Sequence, residues 1–158
     1  IVLSQYGHMF APRPSVVVKE FVRVLKPGGI LAFSTWPKEL FMGKFFKLIE
    51  SFSQPLSPEV ASPVLWGDMA VIEDRLKDHF DQIEFGRDTM FAPTMSPAHM
   101  LKLFEKNAGP LSNLVKALAD DPAKLSNLRN AALVLIEKFF SNNFLRQDFL
   151  MTRCVKKT

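Results

Sequence analysis

The sequence predicts an α/β fold, and three observations carry that prediction. A short apolar run, Ile1-Val2-Leu3, precedes an amphipathic helix. A Lys26-Pro27-Gly28-Gly29 turn then leads into a second apolar run, Ile30 to Phe33. After a helical block, a last strand returns near the end of the chain. Strands joined by helices, with a strand coming back at the end, belong to the α/β class. At 158 residues, 47% hydrophobic and 23% charged, the chain can bury a core and form a single domain over 1–158. An isoleucine start that enters a strand at once is expected of a processed, cut or partial chain.

The elements follow in order. Residues 1–5 turn polar at Ser4-Gln5, as a buried parallel strand does at its carboxyl end. A loop with Gly7, Pro12 and Pro14 leads to a helix opened by Pro14-Ser15 and running to about Leu25. Val17, Val18, Phe21, Val22 and Leu25 share one of its faces. Proline suits the first turn, where its missing N–H costs nothing. Pro27 and the glycines stop the helix and reverse the chain. The connection to the strand at Ile30 to Phe33 is expected to be right-handed.

Pro37 ends that strand. Glu39 to Phe52 reads as a second amphipathic helix through Leu40, Phe41, Phe45, Leu48, Ile49 and Phe52. Residues 53–67, with Pro55, Pro58 and Pro63, read as a loop. Asp68 caps a helix running to Phe80, and 82–91 alternates as an edge-like strand. Ser96-Pro97 opens a helix ended by Gly109. A short helix covers Pro110 to Ala119, and Asp121-Pro122 opens a long one to about Asn142 with a clean apolar stripe. Phe149 to Val155 closes the chain as a strand whose Arg153 and Lys156 point to a partly exposed edge.

Composition excludes several function classes. The net charge of +4 is spread singly along helices rather than clustered, so it argues against nucleic-acid binding. The fifteen Phe occupy periodic apolar positions, which is core placement. Cys154 is the single cysteine, so neither an intrachain disulfide nor a cysteine metal cluster is available. That usage points to a cytoplasmic location. No apolar run approaches the ~18 residues of a membrane span.

Glu20, the run Arg23-Val24-Leu25-Lys26-Pro27-Gly28-Gly29 and the following strand to Trp36 resemble the late half of the sheet in class I S-adenosylmethionine-dependent methyltransferases. Ser4-Gln5-Tyr6-Gly7-His8-Met9-Phe10-Ala11-Pro12 resembles the loop after the fourth strand in their quinone- and sterol-type members. The resemblance is specific over 1–36 and weak beyond. It implies a partial Rossmann-like sheet of late strands, with 37–158 supplying acceptor-side helices and terminal antiparallel strands. The family's Gly-rich cofactor loop, and the acidic residue ending its second strand, are not in this sequence.

That resemblance implies methyl transfer from S-adenosylmethionine to a small acceptor, with this chain as a portion of the enzyme; the apolar helix 39–52 and the Phe-rich region 80–104 suggest a hydrophobic acceptor and serve equally as core. Ser4, Gln5, Tyr6 and Gly7 would lie against the cofactor. His8 is the candidate proton acceptor, because imidazole titrates near neutrality; a structural hydrogen bond is its alternative role. Met9, Trp36 and Trp66 are the candidate acceptor-binding residues, and for the tryptophans packing at a layer edge competes. His79 and His99 are expected at the surface. Lys26-Pro27-Gly28-Gly29 follows a helix instead of opening one, so it is a turn and no phosphate site.

The resembled fold also makes residues 1–5 a central strand, so a bare edge there predicts self-association as a homodimer, or instability. Two further readings come from other classes. One is a non-catalytic binding or dimerisation module. The other is a membrane-surface protein using the basic, amphipathic Phe41-Met42-Gly43-Lys44-Phe45-Phe46-Lys47.

Overall fold

The computed structural model describes residues 1–55, 57 and 60–158. Pro58 of the expected loop lies outside them. The described chain is α/β. Strand β1 (Val2–Gln5) leads through a short 3-10 turn at His8–Phe10 into helix α1 (Pro14–Val24) and strand β2 (Ile30–Thr35). Helices α2 (Phe41–Phe52) and α3 (Met69–Leu76) precede the long strand β3 (Phe80–Pro93). Helices α4 (Pro97–Asn107), α5 (Gly109–Ala117) and α6 (Pro122–Glu137) lead to the short β4 (Phe140–Ser141) and to β5 (Phe144–Lys156). Sheet order is β1-β2-β5-β3, with β4 paired to the start of β5.

The chain condenses into two compact units, one of residues 1–38, 56–88 and 148–158 and the other of 39–55 and 89–147. In the first, β1 and β2 run parallel, with Val2 opposite Leu31 and Ser4 opposite Phe33. β5 runs antiparallel to β2, with Phe33 opposite Thr152 and Leu31 opposite Cys154. Side chains alternate across a sheet, so this register sorts them into two faces. One face holds Leu31, Phe33, Thr35, Leu150, Thr152 and Cys154, all buried. Phe21 of α1 lies over it, its ring 6.4 Å from that of Phe33. The other face holds Leu3, Ala32, Met151 and Arg153.

Local chemistry explains the boundaries. Gly28 takes φ +72°, the left-handed geometry that glycine adopts without steric cost. Its N–H donates to the Lys156 carbonyl at 3.0 Å, tying the turn to the end of β5. Lys156 Nζ donates to the carbonyls of Val22 and Leu25, each at 2.7 Å, and so satisfies free carbonyls at the end of α1. The side chains of Asp68, Ser96 and Asp121 accept from backbone N–H groups in the first turns of α3, α4 and α6.

In the second unit, Phe41, Phe45, Phe104 and Phe139 pack as one aromatic cluster, with ring centroids 5.0 to 6.2 Å apart. The apolar face of 41–47 is therefore spent on a core, since Phe41, Phe45 and Phe46 are buried. Among the described residues no helix is long and apolar enough to cross a membrane.

Three expectations are corrected. The last strand is not an edge, because β5 lies between β2 and β3, and its Lys156 is engaged with α1. The helix from Asp68 ends at Leu76, short of Phe80, which starts β3. The long helix stops at Glu137; Asn142 and Asn143, at φ 49° and 63°, turn a hairpin that joins β4 to β5.

Candidate functional site

In an open α/β sheet, ligands bind beyond the carboxyl ends of parallel strands. Those ends are Gln5 and Thr35 in the first unit, brought side by side by the pairing of Gln5 with Ser34. Tyr6 follows at φ 59°, a left-handed backbone that a bulky non-glycine residue rarely takes. Its N–H donates to the Ser34 carbonyl at 3.1 Å. Its ring stacks on Trp36, centroids 3.9 Å apart and planes 5° apart, and meets Phe149 edge-on at 6.5 Å. Burial pushes the Tyr6 phenol above its ordinary pKa, while a side-chain hydrogen bond with Ser34 opposes that shift. The phenol is neutral at physiological pH.

His8 turns the other way, into the packed layer beneath the sheet. Its Nδ1 shares a hydrogen bond with Ser4 Oγ at 2.9 Å, and its backbone N–H donates to the same oxygen at 3.3 Å. The imidazole lies 4.5 Å from Phe33, 4.7 Å from Trp66 and 5.8 Å from Phe21. Burial first, and then the nearby Arg75 charge, lower its pKa to about 4. The ring is thus neutral at pH 7. Arg75 lies with its guanidinium carbon 4.4 Å from the centre of the Trp66 ring, a cation–π contact. His8 Nε2, Trp66 Nε1 and Arg75 Nη1 are all buried and have no hydrogen-bond partner among the described residues.

The structure gathers the sequence-predicted residues unevenly. Gln5 and Gly7 are exposed, and Ser4 and Tyr6 are half-buried. The space beside Gly7 is open, since a methyl added there would meet nothing nearer than Ser4 Oγ at 3.9 Å. Met9, Trp36 and Trp66 are buried, at 1%, 5% and 1% exposure. Trp36 serves as the platform for Tyr6, and Trp66 as the wall for His8. His79 is exposed as expected. His99 is not a surface residue: it is half-buried, with Nδ1 3.0 Å from Thr94 Oγ1. A shallow depression of about 560 Å³ between Glu73, Lys77 and Gln82 contains none of these residues.

Sequence reasoning missed Arg75, Phe33 and Phe149 as members of this site. Arg75 had a readable signal, because it stands three residues after Ile72 and so on the apolar side of α3. Phe33 and Phe149 had none, since each reaches the site through sheet pairing between distant segments.

No family model matches the chain. Curated relatives are found in mycobacteria. The uncharacterized protein Rv1403c of Mycobacterium tuberculosis is 26% identical over 151 residues, 95% of this chain and 55% of that protein. The uncharacterized protein Rv1405c of the same organism is 24% identical over 157 residues, 99% of this chain and 57% of that protein. The chain therefore spans little more than half the length of the relatives it matches. Among solved structures, a Bacillus halodurans protein described as a candidate methyltransferase aligns over 99% of this chain and 64% of its own, with a TM-score of 0.49 and 13% identity. A likeness at that level identifies no function.

Proposed function

We propose that this chain is a portion of an S-adenosylmethionine-dependent methyltransferase that acts on a small, hydrophobic acceptor. The observation that carries the reading is Tyr6, held in a left-handed backbone at the carboxyl end of β1 and stacked on Trp36 at the end of β2. Strain of this kind costs about 1–3 kcal/mol and persists where the surroundings impose it, commonly at ligand sites. The sequence resemblance over 1–36 supplies the class of ligand.

Three residues suit that ligand on the features they present. Gln5 offers an exposed side-chain amide, Gly7 leaves room for close backbone approach, and Tyr6 provides a flat neutral wall. Ser4 contributes indirectly, since its hydroxyl is committed to His8. The cofactor supplies an activated methyl on a sulfonium, so the task left to the protein is positioning rather than strong acid–base chemistry. In this reading His8 fixes the loop through Ser4, and a direct proton-acceptor role would need the loop to open. Met9, Trp36 and Trp66 shape the acceptor side from behind, as packing that holds Tyr6 and the loop in place.

A second reading is favoured by the burial of His8, Met9, Trp36 and Trp66: a non-catalytic module built on the same sheet. Calorimetric titration with S-adenosylhomocysteine separates the two. Micromolar binding that is lost in Tyr6→Ala supports the enzyme reading. No heat at 100 μM chain and millimolar ligand rejects cofactor binding by this chain and leaves the module.

A further inference from the structure

We infer that the layer beneath β2 holds a binding site for a small carboxylate, formed by Arg75, Trp66 and His8. Among the described residues, the buried side-chain atoms without a hydrogen-bond partner are His8 Nε2, Thr35 Oγ1, Trp66 Nε1, Arg75 Nη1 and Thr152 Oγ1. They are gathered rather than scattered. The His8 ring lies 4.5 Å from Phe33 and 4.7 Å from Trp66, and the Trp66 ring lies 5.8 Å from Phe33. The Arg75 guanidinium lies over Trp66 at 4.4 Å. Thr152 stands opposite Phe33 in the sheet, and Thr35 follows two residues along β2 on the same face. Buried polar groups in native proteins nearly always have partners. Orphans gathered around one ring mark a place that a ligand completes.

The chemistry of the orphans selects the ligand. The indole N–H and the guanidinium can only donate. Ser4 sets the third group: its Oγ accepts the His8 backbone N–H, its own proton goes to Nδ1, and the ring proton then sits on Nε2. Three donors call for acceptors. One of them also carries a charge that nothing nearby balances. Burial lowers the Arg75 pKa with no carboxylate acting to raise it, and the adjacent Asp74 is engaged by Lys77. A cation taken out of water without an anion is costly. Water would accept from two donors and leave the charge unanswered. A carboxylate brings two acceptor oxygens and the opposite charge, in the planar shape a guanidinium matches. Phe33 and Trp66 are each 1% exposed, so the ligand is small; Arg75 is half-buried and gives the way in from solvent. The site lies under the sheet, apart from the Tyr6–Trp36 stack, and stands independently of cofactor binding.

Titration with sodium formate, followed through the indole N–H resonances, tests it. The chain has two tryptophans, so Trp36 is an internal reference. The Trp66 resonance is identified by its contacts with His8 and Phe33. At pH 7.5 it is expected to move along a saturable curve while that of Trp36 stays in place. Arg75→Gln is expected to raise the half-saturating formate concentration about tenfold or more, the loss of a charged hydrogen bond. No movement of Trp66 up to 100 mM formate would leave water as the partner of these atoms and overturn the proposal. So would equal, unsaturable shifts of both tryptophans, which report bulk salt, or an Arg75→Gln curve that matches the parent. A parallel sodium chloride titration that saturates at the same concentration would reveal a site for charge alone and overturn the carboxylate assignment. The parent curves with formate and chloride decide the question even where Arg75→Gln does not fold.

Discussion

The Tyr6 ring lies 3.9 Å from the Trp36 ring with the planes 5° apart, and the Tyr6 backbone is left-handed at φ 59°. The stack and the strain oppose each other, and two substitutions separate them. Tyr6→Ala loses the ring and keeps the strained backbone. Tyr6→Gly loses the ring and relieves the strain, at the cost of a more flexible unfolded chain. A left-handed non-glycine residue costs roughly 1–2 kcal/mol. Tyr6→Gly is therefore expected to be the more stable of the two by about 1 kcal/mol in urea unfolding. Equal stabilities, or a more stable alanine variant, would show that the backbone there is unstrained.

Gly67 packs closely against the backbone of Trp36 and Pro37. A Cβ at Gly67 would fall 2.0 Å from the Trp36 carbonyl oxygen and 2.7 Å from Pro37 Cα. Every atom in the way is backbone, so no side chain can swing aside. Gly67→Ala is expected to cost about 3 kcal/mol or more, at the upper end of overpacking penalties. Gly86→Ala, where nothing lies within 4 Å, serves as the control. A drop in thermal midpoint confined to the Gly67 variant is the expected outcome.

The βαβ unit was legible because its signals are local and agree with one another. Pro14 opens α1, Gly28 reverses the chain, and apolar period marks each element, so 14–24 and 30–35 were placed nearly to the residue. The hairpin at Asn142-Asn143 was missed although its sign was present, a two-residue loop able to hold φ > 0 at both positions. The apolar stripe of α6 ran on through Phe139 and masked it. The order of the last two strands, and with it the interior place of β5, rests on neighbours distant in sequence: Ala32 of β2 pairs with Arg153, which also bonds to Glu84 of β3, 69 residues before it. Helix and strand periodicity carry no information about that. The same holds for His8, whose aromatic surroundings come from α1, β2 and the turn at Trp66.

His8 makes stability depend on pH. Its folded pKa, about 4, lies below the ordinary 6.5. Between those values the unfolded chain binds the proton and the folded chain does not, so stability falls as pH drops from 6.5 towards 4. Above pH 6.5 the term is fully present. The slope is about 1.4 kcal/mol per pH unit at most, which gives a loss of about 2 kcal/mol between pH 6.5 and 5, before carboxylates add theirs. His8→Gln is expected to flatten this interval in urea titrations. Arg75→Gln removes a charge that disfavours protonation, so the folded pKa rises towards 6.5 and the loss, still beginning near pH 6.5, ends at a higher pH and is smaller in total. An unchanged slope in His8→Gln would place the titrating group elsewhere.

Cys154 reports on the same layer without any substitution. It sits in β5 opposite Leu31, fully buried, and burial pushes its thiol up to about 12. Thiolate is the reactive form, so the folded chain is inert twice over, by access and by ionisation. Reaction with a disulfide reagent at pH 8 then requires opening of the strands around β5. Its rate divided by that of the urea-unfolded chain gives the opening equilibrium constant when reclosing is fast. The expected ratio matches global unfolding, because Cys154 is interior to the sheet between β2 and β3. Tyr6→Ala and Gly67→Ala are expected to raise the rate in proportion to the stability each loses. Reaction at near the unfolded rate in native buffer would place β5 at an exposed edge, contrary to the sheet order.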